Sequence, residues 1–195
     1  SFATTDKLDR LQYGSPIINV VSDPTHSYGL ASYGYDDEGV KTRKVDLIRN
    51  GLLVGYLSSR ETAARIRRRS SGAMRADGWG NIPIVRITNV NLAPGDKSFD
   101  DLVSSVDNGI YMSTTASWSP SDDRSSFEFG CEIAWEIKGG KLGQVFKNPT
   151  FSGRSVEFWN SVEAIGKESL WKVWGTPNCG KGQPGQNART AQGAS

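Results

Sequence analysis

The stretch FEFGCEIAWEIKGGKLGQVF, residues 127–146, decides the class of fold. Phe127, Phe129, Cys131, Ile133, Trp135 and Ile137 fall on one side of a period-two pattern, with Glu128, Glu132 and Glu136 on the other. Alternate side chains of an extended chain point to opposite faces, so this is a strand with one face packed and one solvated. Lys138-Gly139-Gly140-Lys141 supplies a tight turn and returns the chain into LGQVF, the second arm of a hairpin.

The same logic extends outward. In VDLIRNGLLVGYL, residues 45–57, Asn50-Gly51 separates two apolar runs, and both positions tolerate the positive φ of a two-residue hairpin turn. Upstream, PIINVVS at 16–22 is β-branched and bounded by Gly14 and Pro24, the pattern of a buried strand. HSYGLASYGYDDEG reads as a loop or edge segment ending in a turn at Asp37-Glu38-Gly39. Ser58 with Glu61 resembles a capping box, which predicts a short helix in ETAARIRRR. SSGAMRADGWGN, residues 70–81, has no periodicity and three glycines, and is expected to be a mobile loop. A strand is predicted at 82–90, then a helix near 98–107 capped by Ser98 with Asp101 and closed by Gly109. Ser155 opens a helix whose apolar stripe is Phe158, Trp159, Val162 and Ile165. LWKVW at 170–174 is the final predicted strand, and from Gly175 onward the Gly/Pro/Gln-rich composition predicts a tail. The fold class is therefore α+β, a mainly antiparallel β-sheet with a few short helices packed on it.

The bulk composition agrees. The 195 residues are 36% apolar, with 22 Gly, six Trp, six Tyr and seven Phe, which suits a turn-rich β-containing domain. A net charge of +2, from 23 basic and 21 acidic residues, gives no global field for nucleic acid or membrane. No apolar run approaches membrane-spanning length, and SFATTDKLDRLQYG lacks a signal-peptide core. Two cysteines, Cys131 and Cys179, make no disulfide framework and read as free thiols of a cytoplasmic protein. A start at Ser1 and an end in TAQGAS look like cuts from a longer chain.

Candidate chemistry is sparse. A catalytic zinc needs three protein ligands and an open position, and with His26 as the single histidine a self-contained His-based site is excluded. Gly175 to Gly182 imitates a phosphate loop, but Gly182 replaces the Mg-binding hydroxyl and QPGQ cannot open the helix that would hold the phosphate. Cys179 in that segment is either a soft metal ligand completed from elsewhere or a solvent-facing thiol, and composition alone favours the second. Arg65, Arg67, Arg68 and Arg69 read as a solvated helix end, with no groove-reading motif beside them.

The order of segments carries more. GSPIINVVSDPT, GYDDEG, VDLIRNGLLVGYL, the Gly/Arg loop, PIVRITN, the helix before NGIY, and NCGKGQ together resemble the TldD/PmbA family, also called modulator of DNA gyrase. The resemblance runs over nearly the whole chain, and DDEG and CGKGQ are its more specific pieces. It implies that residues 1–195 are a C-terminal domain, a fragment of the TldD-like side, downstream of an HExxxH helix that this chain lacks. In active family members the two histidines and a later cysteine bind zinc, and the glutamate is the general base. That cysteine falls on Cys179. The implied function is the C-terminal portion of a zinc-dependent peptidase acting on unfolded peptides. Cys179 would be its metal ligand, and Arg75, Arg86 and Asn89 its peptide-binding residues. Zinc is then expected in the full-length parent and none in this fragment, which alone should be inactive. The expected partners are a peptide and a second family subunit, in a homo- or hetero-oligomer, with no specific nucleic acid and no membrane. The alternative is a non-catalytic interaction module of such a complex, with a role toward DNA gyrase.

Overall fold

The computed structural model describes residues 1–182 and 184–195. The first part of the chain supplies β1 (Val20–Ser22), β2 (Val45–Arg49), β3 (Leu52–Leu53), helix α1 (Arg60–Arg65), β4 (Met74–Arg75), β5 (Ile84–Val85) and β6 (Asn89–Leu92). Helix α2 (Phe99–Ser104) leads into β7 (Asn108–Pro120), β8 (Ser126–Lys138), β9 (Lys141–Lys147) and β10 (Thr150–Arg154). Helix α3 (Ser155–Asn160) precedes β11 (Lys172–Lys181) and β12 (Gln186–Ala194). The class is α+β and mainly antiparallel, as the alternation of residues 127–137 requires. No helix among the described residues is long and apolar enough to cross a membrane.

Two sheets do most of the organising. The larger runs in the order β11-β12-β6-β1-β2-β3, antiparallel throughout except that β12 lies parallel to β6, with Ala191 opposite Asn89. Its β2–β3 turn has φ of 50° at Asn50 and 76° at Gly51, the left-handed pair that the sequence called for. Ile18, Ile48 and Ile165 form the buried centre against this sheet, with Val20, Leu92 and Trp159 packed on it. The second sheet is built on β8, which pairs β7 along its length and β10 and β9 in succession on its other edge. Phe127 and Phe129 on β8 meet Phe151 on β10 and Phe158 on α3 at centroid separations of 5.2–5.8 Å. Further along, Trp135 stacks on Tyr111, which meets Phe99 of α2 edge-on. Both helices thus lie over the aromatic face that β8 presents.

Several expectations need correction. The α1 cap is Ser59 with Thr62, one residue later than predicted, because Ser58 is engaged with Ser71 through its hydroxyl and its main chain. Helix α2 ends before Gly109, which is already inside β7, and α3 ends at Asn160, although Ile165 still reaches the core. Residues 16–22 enter the ladder only at Val20, since Ser15 to Ile18 makes a turn. The 82–90 run is split into β5 and β6. The 70–81 segment is not all exposed loop: Ser70 to Ala73 are buried, with the serine hydroxyls satisfied by Ser58, and Met74–Arg75 form β4. The predicted tail is the β11–β12 hairpin. Its small and amide-bearing residues show no amphipathic period, yet Gln186, Thr190 and Ala191 are buried.

Candidate functional site

Cys179 lies on β11 opposite Ala188, just past a register slip between Thr176 and Cys179. Pro177 falls in that slip, where a ladder donor is not required. The thiol is free and half-buried. Its main chain is held from the residue that follows β5: the Arg86 guanidinium donates through Nη2 to the Cys179 carbonyl. Arg86 is 2% exposed, and its backbone N–H donates to Ala73 at 2.8 Å.

Two further cations join it. Arg75 donates from Nη1 to the Arg189 carbonyl at 2.8 Å and from Nη2 to the Ile87 carbonyl, and it sits 5.3 Å from the Tyr33 ring centroid. Lys181 Nζ donates to the Val85 carbonyl at 2.6 Å. These bonds cross-link β4 and β5 to the terminal hairpin. Among the described residues none of the three cations is in a salt bridge. The Nε atoms of Arg75 and Arg86 are buried with no hydrogen-bond partner there. Burial depresses the Arg75 guanidinium from its ordinary range; the Arg86 charge depresses it further, while Tyr33, Cys179 and Asp37 act the other way. Burial pushes the Tyr33 phenol up to about 12, with Asp36 and Asp37 adding to it and Arg75 opposing. Lys181 is lowered by burial and then by Arg86.

A cleft of about 410 Å³ opens beside this cluster, lined by Leu30, Arg75, Asp77, Asn178, Asn187 and Arg189 among others. The loop on its rim is fixed at both ends by Gln186, which accepts from Asp77 N–H at 2.7 Å and donates to the Ile82 carbonyl at 2.8 Å. Trp79 at the tip of that loop is fully exposed. A depression of about 520 Å³ on the second sheet, lined by Ser119, Phe127 and Gly153, holds no His, Cys or cationic side chain.

Of the residues singled out from sequence, Arg75, Arg86 and Cys179 come together. Asn89 is 1% exposed, and its amide faces the 23–32 loop: it donates to the Asp23 carbonyl and Ser32 Oγ, each at 2.9 Å, and accepts from Ala31 N–H at 3.0 Å. Lys181 and Tyr33 were not singled out. Lys181 was within the CGK segment, whereas nothing local marks Tyr33. His26 packs against Trp171, 5.5 Å between centroids, and takes no part in the cluster.

Zinc asks for three protein ligands beside an open position. Cys179 is a fitting soft donor. Among the described residues no three His, Cys, Asp or Glu side chains converge, so these residues offer one ligand and not a complete set.

Residues 1–186 match the family described as the PmbA/TldA metallopeptidase C-terminal domain. A metalloprotease of Methanocaldococcus jannaschii is 37% identical over 163 residues, covering 84% of this chain and 36% of that protein. A zinc metalloprotease TldD homolog of Saccharolobus solfataricus is 26% identical over 163 residues, covering 83% of this chain and 37% of its own length. The chain thus spans about a third of the length of these relatives. Among solved structures, TldE from Thermococcus kodakarensis superposes with a TM-score of 0.71 at 23% identity, covering 94% of this chain and 39% of that one, a likeness of fold.

Proposed function

Since the chain belongs to the PmbA/TldA metallopeptidase C-terminal domain family, we propose that it is the C-terminal portion of a zinc-dependent peptidase acting on unfolded peptides. Cys179 contributes one metal ligand, and Arg75 and Arg86 organise the wall of the peptide cavity. The observation that carries this reading is the placement of Cys179: a half-buried thiol on a bulged strand, its carbonyl gripped by Arg86, beside a cleft lined by Arg75. Bulges re-aim side chains next to active sites.

Bound zinc supplies Lewis-acid activation of the scissile group. The remaining ligands belong to an HExxxH helix of the longer parent. This chain's residues do the holding. β11 ends the larger sheet, and a strand at a sheet edge can pair with an extended peptide, a contact that reads backbone and not sequence. Arg86 ties β11 at Cys179, and Arg75 ties β4 to β12 at Arg189. Asn89 acts indirectly, by ordering the 23–32 loop, from which Leu30 reaches the cleft. The working particle is a homo- or hetero-oligomer of family subunits in the cytoplasm.

The test is zinc content and peptide cleavage of the full-length protein carrying Cys179→Ser. A hard, weakly acidic hydroxyl replaces a thiolate poorly, so both zinc content and cleavage should fall. Retention of full zinc and full cleavage would overturn the metal assignment in favour of a non-catalytic interaction module.

A further inference from the structure

We propose that Arg75 and Arg189, backed by Arg86 and Lys181, form a subsite for the C-terminal carboxylate of a bound peptide; this rests on the peptide-cavity reading of the same cleft. The hydrogen bonds made by Arg75, Arg86 and Lys181 all go to main-chain carbonyls, which orient the cations without neutralising them. A guanidinium lacking an anion is costly to bury, and Arg75, half-buried on the cleft wall, is in no salt bridge among the described residues. Neither nearby acid is in a salt bridge with Arg75 or Arg189 among the described residues. Asp77 Oδ2 accepts from Asn187 N–H at 3.2 Å, and Asp37 Oδ2 accepts from Ala76 N–H at 2.7 Å. Arg189 is exposed, lines the cleft, and its side chain has no hydrogen bond among the described residues. Arg189 brings an uncommitted guanidinium fork to the cleft, which matches the planar, two-oxygen geometry of a carboxylate, and Arg75 adds a fixed positive charge beside it. The side-chain amides of Asn178 and Asn187 line the same cleft and suit the peptide group that precedes it. The substrate class is therefore peptides with a free C-terminus.

The test is fluorescence anisotropy on the full-length protein with three N-terminally labelled alanine pentapeptides: the free acid, its C-terminal amide, and an amide carrying one internal glutamate. The free acid should bind about tenfold more tightly than either amide. Arg189→Gln, at an exposed position, should remove most of that preference without altering the fold, and Arg75→Lys should weaken it. Equal binding of acid and amide, no binding of any peptide, or a preference untouched by Arg189→Gln overturns the proposal. Glutamate-amide binding as tight as the free acid overturns the assignment to the chain terminus. Zinc content of Cys179→Ser tests the metal assignment and the acid-over-amide ratio of Arg189→Gln tests this subsite, so the two failures are read separately.

Discussion

The Arg86 guanidinium donates to the carbonyl of Cys179, 93 residues further along the chain, from a side chain that is almost wholly enclosed. A bulged edge strand without such a tether would be free to fray. Arg86→Gln is too short to reach the carbonyl, and loss of a hydrogen bond from a charged donor costs about 2 kcal/mol. The expected result is a lower denaturant midpoint together with faster proteolysis within residues 177–181. An unchanged midpoint would show that the tether contributes nothing.

The DDEG segment has an architectural explanation. Asp36 accepts from the main-chain N–H groups of Glu38, Val40 and Met74 at 2.9–3.1 Å, Asp37 from Ala76 at 2.7 Å, and Glu38 from Arg60 at 2.8 Å. Three consecutive carboxylates thus terminate the donors of a turn, of β4 and of α1. Asp36→Ala strands three donors and should destabilise by about 2–4 kcal/mol, with Asp36→Asn, which keeps an acceptor oxygen, costing less. Thermal denaturation of the two variants decides the order.

How legible this fold was depends on how local each determinant is. Asn50-Gly51, Gly139-Gly140, the Ser98–Asp101 capping box and the alternation of β8 are each fixed within a few residues, and each is where the sequence puts it. β12 is held by its parallel pairing to β6 and by burial of Thr190 and Ala191, with no large apolar residue to announce it. The site divides the same way. Arg75, Arg86 and Cys179 stand out in their own segments. Lys181 joins them through a contact spanning 96 residues, and Tyr33 through a ring placed by the fold.

Tyr33 gives a pH dependence of known sign. Its phenol is pushed up to about 12 from the model-peptide value of 10.0, mainly by burial. The folded state therefore holds its proton more tightly than the unfolded chain does. The corresponding stability is complete below pH 10, and is lost as pH rises from there through about 12. Burial also raises Tyr13 and Tyr56, so spectrophotometric titration should show several tyrosines ionising late, and Tyr33→Phe should remove one phenol from that late phase and flatten the alkaline loss of stability. A Tyr33→Phe titration identical to that of the parent would refute the assignment.

The two cysteines separate chemistry from packing. Cys131 is 7% exposed on the packed face of β8, between the cluster of Phe127 and Phe129 and the Trp135–Tyr111 stack. A serine there buries a hydroxyl with poor pairing, so Cys131→Ser should cost about 1–3 kcal/mol. It should leave the zinc content of the full-length protein unchanged, because Cys131 belongs to a different sheet from Cys179. Cys179→Ser should do the reverse. Its thiol is only half-buried and its main chain is held by Arg86 whichever side chain is present, so stability changes little while zinc is lost. Measuring denaturant midpoint and zinc stoichiometry on both variants gives a crossed pattern if Cys179 is a ligand. If instead the two variants lose stability alike and both keep zinc, each thiol is a packing residue and the metal must be held without this chain's cysteines.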